Sequence, residues 1–206
     1  MTVVFDTLTM RIKLGLLSIQ EFSKLSYRTA TSLLSRPRYW RETLDQMDSI
    51  GVGSLTIVTL TGLFTGMVLT VQSSATLDVF GARSYVGRMV SMSMITELGP
   101  VLTALMVTGR VGSGMAAELG SMVVTQQIDA MRTLGTDPIR KLVAPRMIAG
   151  VVMVPVLTVL SNVVGMLGGY VVATFTLGLS TSLYWRSALD AIILEDLFVG
   201  LVKPIV

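Results

Sequence analysis

The amino-acid sequence predicts an all-α integral membrane protein, in which an N-terminal amphipathic interfacial helix is followed by a bundle of transmembrane helices. The first observation is the composition: 51% of the 206 residues are hydrophobic, 14% are charged, and the mean hydropathy is +0.71. The second is that residues 49–77 and 147–177 contain no Asp, Glu, Lys or Arg. Each run exceeds the roughly 20 residues that a helix needs to cross the hydrocarbon core of a bilayer.

Residues 1–48 are predicted to form an amphipathic helix and a basic linker. Apolar residues recur there at helical spacing, namely Phe5, Leu8, Ile12, Leu16, Ile19 and Phe22. A helix lying on the membrane surface and a helix packed against the rest of the protein both fit this pattern. The linker carries a basic and aromatic cluster at residues 36–41, which is typical of a headgroup boundary.

Residues 49–206 are predicted to form the transmembrane domain. Span one lies in residues 49–77 and span three in 147–177, and the run 89–109 between them, whose single charge is Glu97, is span two. A fourth span begins near residue 187 or 197. We expect the sequence to be a partial chain, because about ten apolar residues at its end are too few to cross a bilayer.

Basic residues alternate between the polar segments. Seven Lys and Arg precede span one, two precede span two, five precede span three and one follows it. This alternation predicts a cytoplasmic N-terminus and a cytoplasmic 110–146 segment. The net charge of +3 therefore needs no nucleic-acid partner to explain it.

The chain contains no cysteine and no histidine. Their absence from the sequence excludes disulfides, thiol nucleophiles, imidazole bases and the usual zinc sites. Small residues at helical spacing predict close helix contacts at Gly62 and Gly66, Ser113 and Ala117, and Gly165 and Gly169; we favour packing within the chain, and a subunit interface is the alternative.

Glu97 is the unusual residue of span two, since an ionised carboxylate in mid-span costs about 3 kcal/mol on insertion scales. Gly99 and Pro100 follow it. Pro100 cannot donate to the Thr96 carbonyl, so that acceptor is left free beside the carboxylate. We favour a substrate contact at this kinked polar point; a neutral or paired structural Glu is the alternative.

A cytoplasmic helix is predicted at about residues 121–135. Val124, Ile128 and Met131 recur at i, i+4 and i+7, between the polar residues Gln126, Gln127, Asp129 and Arg132. Gly135 can close this helix in the left-handed conformation. The element either docks a soluble partner or caps the bundle. No G-x-x-x-x-G-K-[ST] loop occurs in the sequence, so ATP would have to be handled by a partner subunit.

The next helix is predicted to begin at Asp137, as its N-cap, with Pro138 in the first turn. Arg140, Lys141 and Arg146 lie in its opening turns and anchor it before it continues into span three.

Residues 97–146, from ELGPVLTALMVTGRVGSG to LGTDPIRKLVAPR, resemble the signature region of the MlaE-like permease family. These permeases are membrane subunits of ABC transporters that work with MCE-domain lipid-binding proteins. The similarity extends from about residue 36 to the GLVK segment at 200–203. The family has five spans after an interfacial helix, and its C-terminal part is not among these residues.

The resemblance implies a homodimeric, multi-pass permease of the bacterial inner membrane that moves phospholipid or a related lipid to or from a periplasmic MCE assembly. A cytoplasmic ATPase subunit would bind each half. ATP and magnesium would belong to that subunit, and this chain would bind no cofactor.

The resemblance also implies roles for individual residues. Thr96, Glu97, Gly99, Pro100 and Lys203 would lie at the lipid cavity. Gln127, Ile128, Asp129, Met131 and Arg132 would couple to the ATPase.

The family's Arg before the motif glutamate is Thr96 here, so an Arg and Glu pair cannot be transferred to this chain. Glu97 is expected to pair with Lys203 or Arg88 instead.

Two other classes of function fit parts of the sequence. A secondary transporter or channel could use Glu97 to bind an ion, but no inverted repeat is visible. An intramembrane hydrolase would need a Ser and Lys pair, for which Lys203 is the only lysine near a span.

Overall fold

The computed structural model describes residues 2–33 and 39–205, and the regular structure in these residues is entirely helical. The helices are α1 (Thr2–Leu33), α2 (Trp40–Val79), α3 (Val86–Ser93), α4 (Gly99–Val107), α5 (Ser113–Val124), α6 (Gln127–Thr133), α7 (Ala144–Phe175), α8 (Thr181–Leu189) and α9 (Leu194–Val202). Five-residue π turns occupy Met94–Leu98, Thr108–Gly112 and Ile139–Val143, and short 3-10 turns occupy Arg83–Tyr85 and Lys203–Ile205. The predicted all-α membrane fold is confirmed.

Three helical stretches are long and apolar enough to cross a membrane: Trp40–Val79, Arg83–Val124 and Ile139–Phe175. They match the three predicted spans, although the third ends at Phe175, two residues before the predicted end. The first begins at Trp40, so it crosses the predicted domain boundary between residues 48 and 49 without a break. Helix α9 begins at Leu194, between the two predicted starts of a fourth span, and its nine residues are too few to cross a bilayer by themselves. We call the membrane side that holds the start of α2 and the α5–α6 connection the N-terminal side, and the opposite side the far side.

Helices α2 and α7 form the central pair of the bundle, and small residues line their contact. A Cβ on Gly66 would overlap the backbone carbonyl of Gly165, and one on Gly62 would lie 2.9 Å from the carbonyl oxygen of Ser161. The backbones therefore approach closely, as expected for membrane helices. Ser113 and Ala117 do not pack within the chain, since both are exposed on α5; for this pair a contact between subunits stays a prediction.

Helix α1 contacts the π turn at Ile139–Val143 and α7. Its buried residues are Thr29 and Ser32, near its end, whereas Leu16, Ile19 and Phe22 are exposed. This exposure fits a surface-lying helix more closely than a packed one. The side chains of Phe5, Leu8 and Ile12, and residues 36–38 of the basic cluster, lie outside the described residues.

Candidate functional site

A π turn places Glu97 at an irregular point inside the second spanning stretch. The turn covers Met94–Leu98, and the Gly99 N–H bonds the Met94 carbonyl, five residues back. Pro100 follows in the first turn of α4 and has no N–H to donate. The helix continues through this point, but backbone acceptors of the turn are left for partners outside the helix.

Lys203 supplies that partner and pairs with the carboxylate as well. Its Nζ lies 2.5 Å from Glu97 Oε1 and donates to the Thr96 carbonyl oxygen at 2.6 Å. One ammonium therefore satisfies both groups that the sequence analysis identified as unpaired. Of the two cations expected for Glu97, the structure selects Lys203; Arg88 lines a different pocket, on the far side.

Gly200 allows α9 to come close enough for this contact. It is buried, and a Cβ at this position would overlap the carbonyl oxygen of Ile95 in the π turn. Lys203 lies three residues further along the same helical path, so its side chain reaches the next carbonyl and the carboxylate. Gly200 was not among the predicted site residues, because only the paired helices show what it faces.

Gly99 faces α7 in a similar way. The Asn162 side chain occupies the space that a Cβ on Gly99 would take, and Asn162 Oδ1 is buried without a hydrogen-bond partner among the described residues. The π turn is thus enclosed by α7 on one side and α9 on another.

An apolar groove adjoins the π turn at Leu98, the residue after Glu97. It has a volume of about 280 Å³, and α2 supplies the rest of its lining: Phe64, Thr65, Val68, Leu69 and Gln72. Phe64 and Val68 are more than half exposed. Leu98 thus joins this largely apolar groove to the turn that carries Glu97, although neither Glu97 nor Lys203 lines it.

A second charged cluster joins α5 to α7 towards the N-terminal side. Arg146 is only 7% exposed, and its Nη2 lies 2.6 Å from Glu118 Oε2. Arg110, in the π turn at Thr108–Gly112, donates to Ser54 Oγ of α2 at 3.2 Å. Arg146 is thus an anchor through Glu118, a partner that the sequence analysis did not identify because no local pattern links the two residues.

The sequence predicts one helix at about residues 121–135, but the structure has two helices there. The prediction of a continuous helix was therefore wrong. Helix α5 ends at Val124, and Gln126 adopts a left-handed conformation with φ of 57° before α6 begins. The hydroxyl of Thr125 donates to the Ser121 carbonyl at 2.8 Å. The left-handed Gln126, rather than this hydroxyl bond, marks the break, since the same bond from Thr70 and from Thr158 occurs inside the continuous helices α2 and α7.

Helix α6 ends as predicted, at a glycine in the left-handed conformation. Gly135 has φ of 75°, and its N–H bonds the Arg132 carbonyl while the Thr136 N–H bonds the Met131 carbonyl. These two bonds form a Schellman motif.

The next helix is capped by Asp137. Its Oδ1 accepts a hydrogen bond from the Ile139 N–H at 3.0 Å, and its Oδ2 lies 3.6 Å from Arg140 Nε, with Pro138 between Asp137 and Ile139 in the chain.

The predicted coupling residues lie on one exposed helical turn. Asp129 and Arg132 form an ion pair of 3.2 Å, with side chains 71% and 66% exposed. Gln127 is exposed, and Ile128 and Met131 are half-buried. Three apolar side chains of the same predicted element, which were not singled out as coupling residues, are exposed beside them: Val123, Val124 and Leu134. The α5–α6 hairpin, residues 121–135, thus presents a mixed polar and apolar surface.

Comparisons with known proteins extend over these elements. A family model described as "Permease MlaE" matches residues 43–206. A "Probable ABC transporter permease protein" of Rickettsia bellii is 41% identical over 186 residues, covering 90% of this chain and 72% of the relative. The "Intermembrane phospholipid transport system permease protein MlaE" of Haemophilus influenzae is 38% identical over 161 residues, covering 78% and 62%. "Protein TRIGALACTOSYLDIACYLGLYCEROL 1, chloroplastic" of Arabidopsis thaliana is 36% identical over 165 residues, covering 80% and 47%.

Proposed function

The chain belongs to the MlaE permease family, and from this premise we propose that it is the permease subunit of an ABC transporter that moves phospholipid or a related lipid. The lipid would pass between the bacterial inner membrane and a periplasmic assembly of MCE-domain proteins. The observation that carries the proposal is that the Lys203 ammonium lies between Glu97 and the Thr96 carbonyl, on a turn whose Leu98 lines an apolar groove. The Haemophilus influenzae relative, named for phospholipid transport, supports the substrate class.

The chemistry of this point suits a lipid. Acyl chains fit the apolar groove at Leu98, while the headgroup needs a polar partner within the membrane. An ammonium has three donors, and the contacts in the structure use two of them. The third donor of Lys203 is free to bind a phosphate oxygen while Glu97 holds the side chain in place.

The energy would come from a separate ATPase subunit. The α5–α6 hairpin is an exposed element on the N-terminal side, and the distribution of Lys and Arg supports a cytoplasmic location for that side. We infer that Gln127, Asp129 and Arg132 contact the ATPase, with Val123, Val124 and Leu134 as the apolar part of the interface. Two copies of the permease would each bind one ATPase subunit.

A secondary transporter or channel is the alternative, and the pairing of Glu97 counts against it. A carrier of cations needs a carboxylate that is free to take the ion, whereas Glu97 is engaged by Lys203 in this structure. Ion flux through the purified protein without any ATPase would favour the alternative.

Lipid transfer tests the role of the pair. The full-length protein, assembled with its ATPase and reconstituted in liposomes, should lose transfer by tenfold or more in E97Q and in K203Q, since either change leaves a charge without its partner. Assembly of the complex should be unchanged. The control is E195Q, because Glu195 is an exposed carboxylate at the start of α9. Normal transfer in both variants would refute the proposal.

Exchange of the α6 charges tests docking. The double variant D129R/R132D keeps an ion pair on α6 but reverses what it presents to a partner, so binding of the ATPase in co-purification should fall by tenfold or more. The matched control is D78R/R83D, which exchanges another exposed pair on the far side. If D129R/R132D leaves ATPase binding as intact as D78R/R83D does, α6 is not the docking surface.

A further inference from the structure

Three arginines flank spans two and three on the far side. They are Arg83, Arg88 and Arg186. Within the described residues, one of them forms an ion pair and the other two do not. Arg83 forms an ion pair with Asp78. In the part of the chain that the structure describes, neither Arg88 nor Arg186 has an ion pair or a side-chain hydrogen bond. Because cations are sparse on this side of membrane proteins, two of them without partners need a reason.

These two arginines line one pocket, although they come from helices that are distant in the sequence. The pocket has a volume of about 330 Å³ and is also lined by Ser84, Ser187 and Asp190. Asp190 offsets one of the two positive charges in this lining, so one net positive charge remains to attract an anion. Guanidinium forks match phosphate oxygens in geometry, so a phosphate is the ligand that this pair favours.

The pocket is held by a rigid contact between α3 and α8. Gly87 is buried against α8, and a Cβ there would overlap the Ser187 hydroxyl and the Tyr184 carbonyl. Tyr184 is buried, and its hydroxyl donates to the Met166 carbonyl of α7 at 3.0 Å. Arg88 and Arg186 each directly neighbour one of these packed residues, so the pocket does not depend on a loose loop.

The rest of the lining indicates that the phosphate belongs to a lipid. Tyr85 and Leu183 contribute apolar surface, and both are partly exposed. Tyr170, Tyr184 and Trp185 form an aromatic cluster beside the pocket, with ring centroids 5.7 to 5.9 Å apart. Aromatic residues gather at the level of the lipid headgroups, where amphipathic rings are stabilised.

Asp190 narrows the class of headgroup. It lines the same pocket one turn beyond Arg186, and its carboxylate makes no side-chain hydrogen bond or ion pair among the described residues. A carboxylate in a phosphate site weakens binding of an acidic headgroup but can accept a hydrogen bond from an amine.

We propose that this far-side pocket binds a zwitterionic phospholipid headgroup, with the phosphate between Arg88 and Arg186 and the amine against Asp190. The site is separate from the pair of Lys203 and Glu97 and would hold a lipid where it enters or leaves the transporter. Its place in transport rests on the proposed function, but binding of the headgroup can be measured without transport.

The test measures binding of phosphatidylethanolamine to the full-length protein in detergent, and native mass spectrometry is the readout. The variant R88Q/R186Q should bind this lipid at least tenfold more weakly, because two charge-assisted contacts are lost. The control R83Q removes an arginine from the same side and should bind as the unmodified protein does. D190N should reduce the preference for phosphatidylethanolamine over phosphatidylglycerol several-fold.

Several results would overturn the proposal. They are unchanged binding in R88Q/R186Q, an equal loss in R83Q, no preference for phosphatidylethanolamine in the unmodified protein, and inorganic phosphate binding as tightly as the lipid. Loss of a periplasmic protein partner with lipid binding intact would make the surface a protein-docking site instead. K203Q should keep far-side binding while losing lipid transfer, so failure of the transport proposal is distinguishable from failure of this one.

Discussion

At the scale of single residues, the decisive feature is that one ammonium serves two acceptors inside the membrane. Pro100 takes away the N–H that the Thr96 carbonyl would otherwise accept, and Glu97 brings a charge to the same turn. Lys203, 106 residues after Glu97 in the chain, satisfies both. A sequence pattern can identify the unsatisfied groups, but it cannot choose their partner among distant cations.

Exchange of the two charges tests this coupling. E97K and K203E should each destabilise the purified protein, since each places like charges together, and E97K/K203E should recover part of the loss. We expect a coupling free energy of about 1 to 3 kcal/mol from a double-mutant cycle. Recovery should be incomplete, because the Thr96 carbonyl loses its donor. Thermal unfolding in detergent measures the cycle, and strictly additive effects would contradict the pairing.

At the scale of elements, small residues decide how closely the helices pack, and a left-handed residue marks the point where α5 gives way to α6. Gly66 and Gly165 bring α2 and α7 into backbone contact. Gln126, in a left-handed conformation, separates α6 from α5. Hydrophobic periodicity predicted one helix across this turn, because Val124 falls in phase with Ile128 and Met131 although its own helix has ended.

The contact between α2 and α7 makes G66A destabilising. The added methyl group would overlap the Gly165 carbonyl, so the helices must separate, at a cost of about 1 to 3 kcal/mol in the free energy of unfolding. The matched control is G120A in α5, where a Cβ meets nothing within 4 Å. There, the higher helix propensity of alanine should leave stability unchanged or raise it by about 0.5 to 1 kcal/mol. Equal effects of the two substitutions on thermal unfolding would rule out this account of the packing.

At the scale of the whole molecule, the ends of the bundle differ in chemistry. The N-terminal side carries the α5–α6 hairpin, the Glu118 and Arg146 pair and most of the basic residues. The far side carries the pocket of Arg88 and Arg186 above the aromatic cluster. The proposed orientation assigns the first end to the ATPase and the second to the periplasm.

Cysteine labelling tests this orientation directly, because the chain has no cysteine of its own. A membrane-impermeant maleimide added to intact spheroplasts should label S182C, between α7 and α9, and should label S121C only after the membrane is permeabilised. Both serines are exposed, so differences in burial do not confound the comparison. The reverse pattern would invert the topology and remove the hairpin from the ATPase.

The sequence by itself determined the class of protein, the three complete spans, the polar point at Glu97, the left-handed end of α6 at Gly135 and the cap at Asp137. Each of these depends on local chemistry: apolar length, a missing N–H, a glycine or a capping carboxylate within a few residues. Only the tertiary structure decided that Lys203 meets Glu97, that Glu118 meets Arg146, and that Arg88 and Arg186 line one pocket. These contacts join residues that are distant in the chain, and their geometry is set by how closely glycine-lined helices approach, which no local pattern specifies.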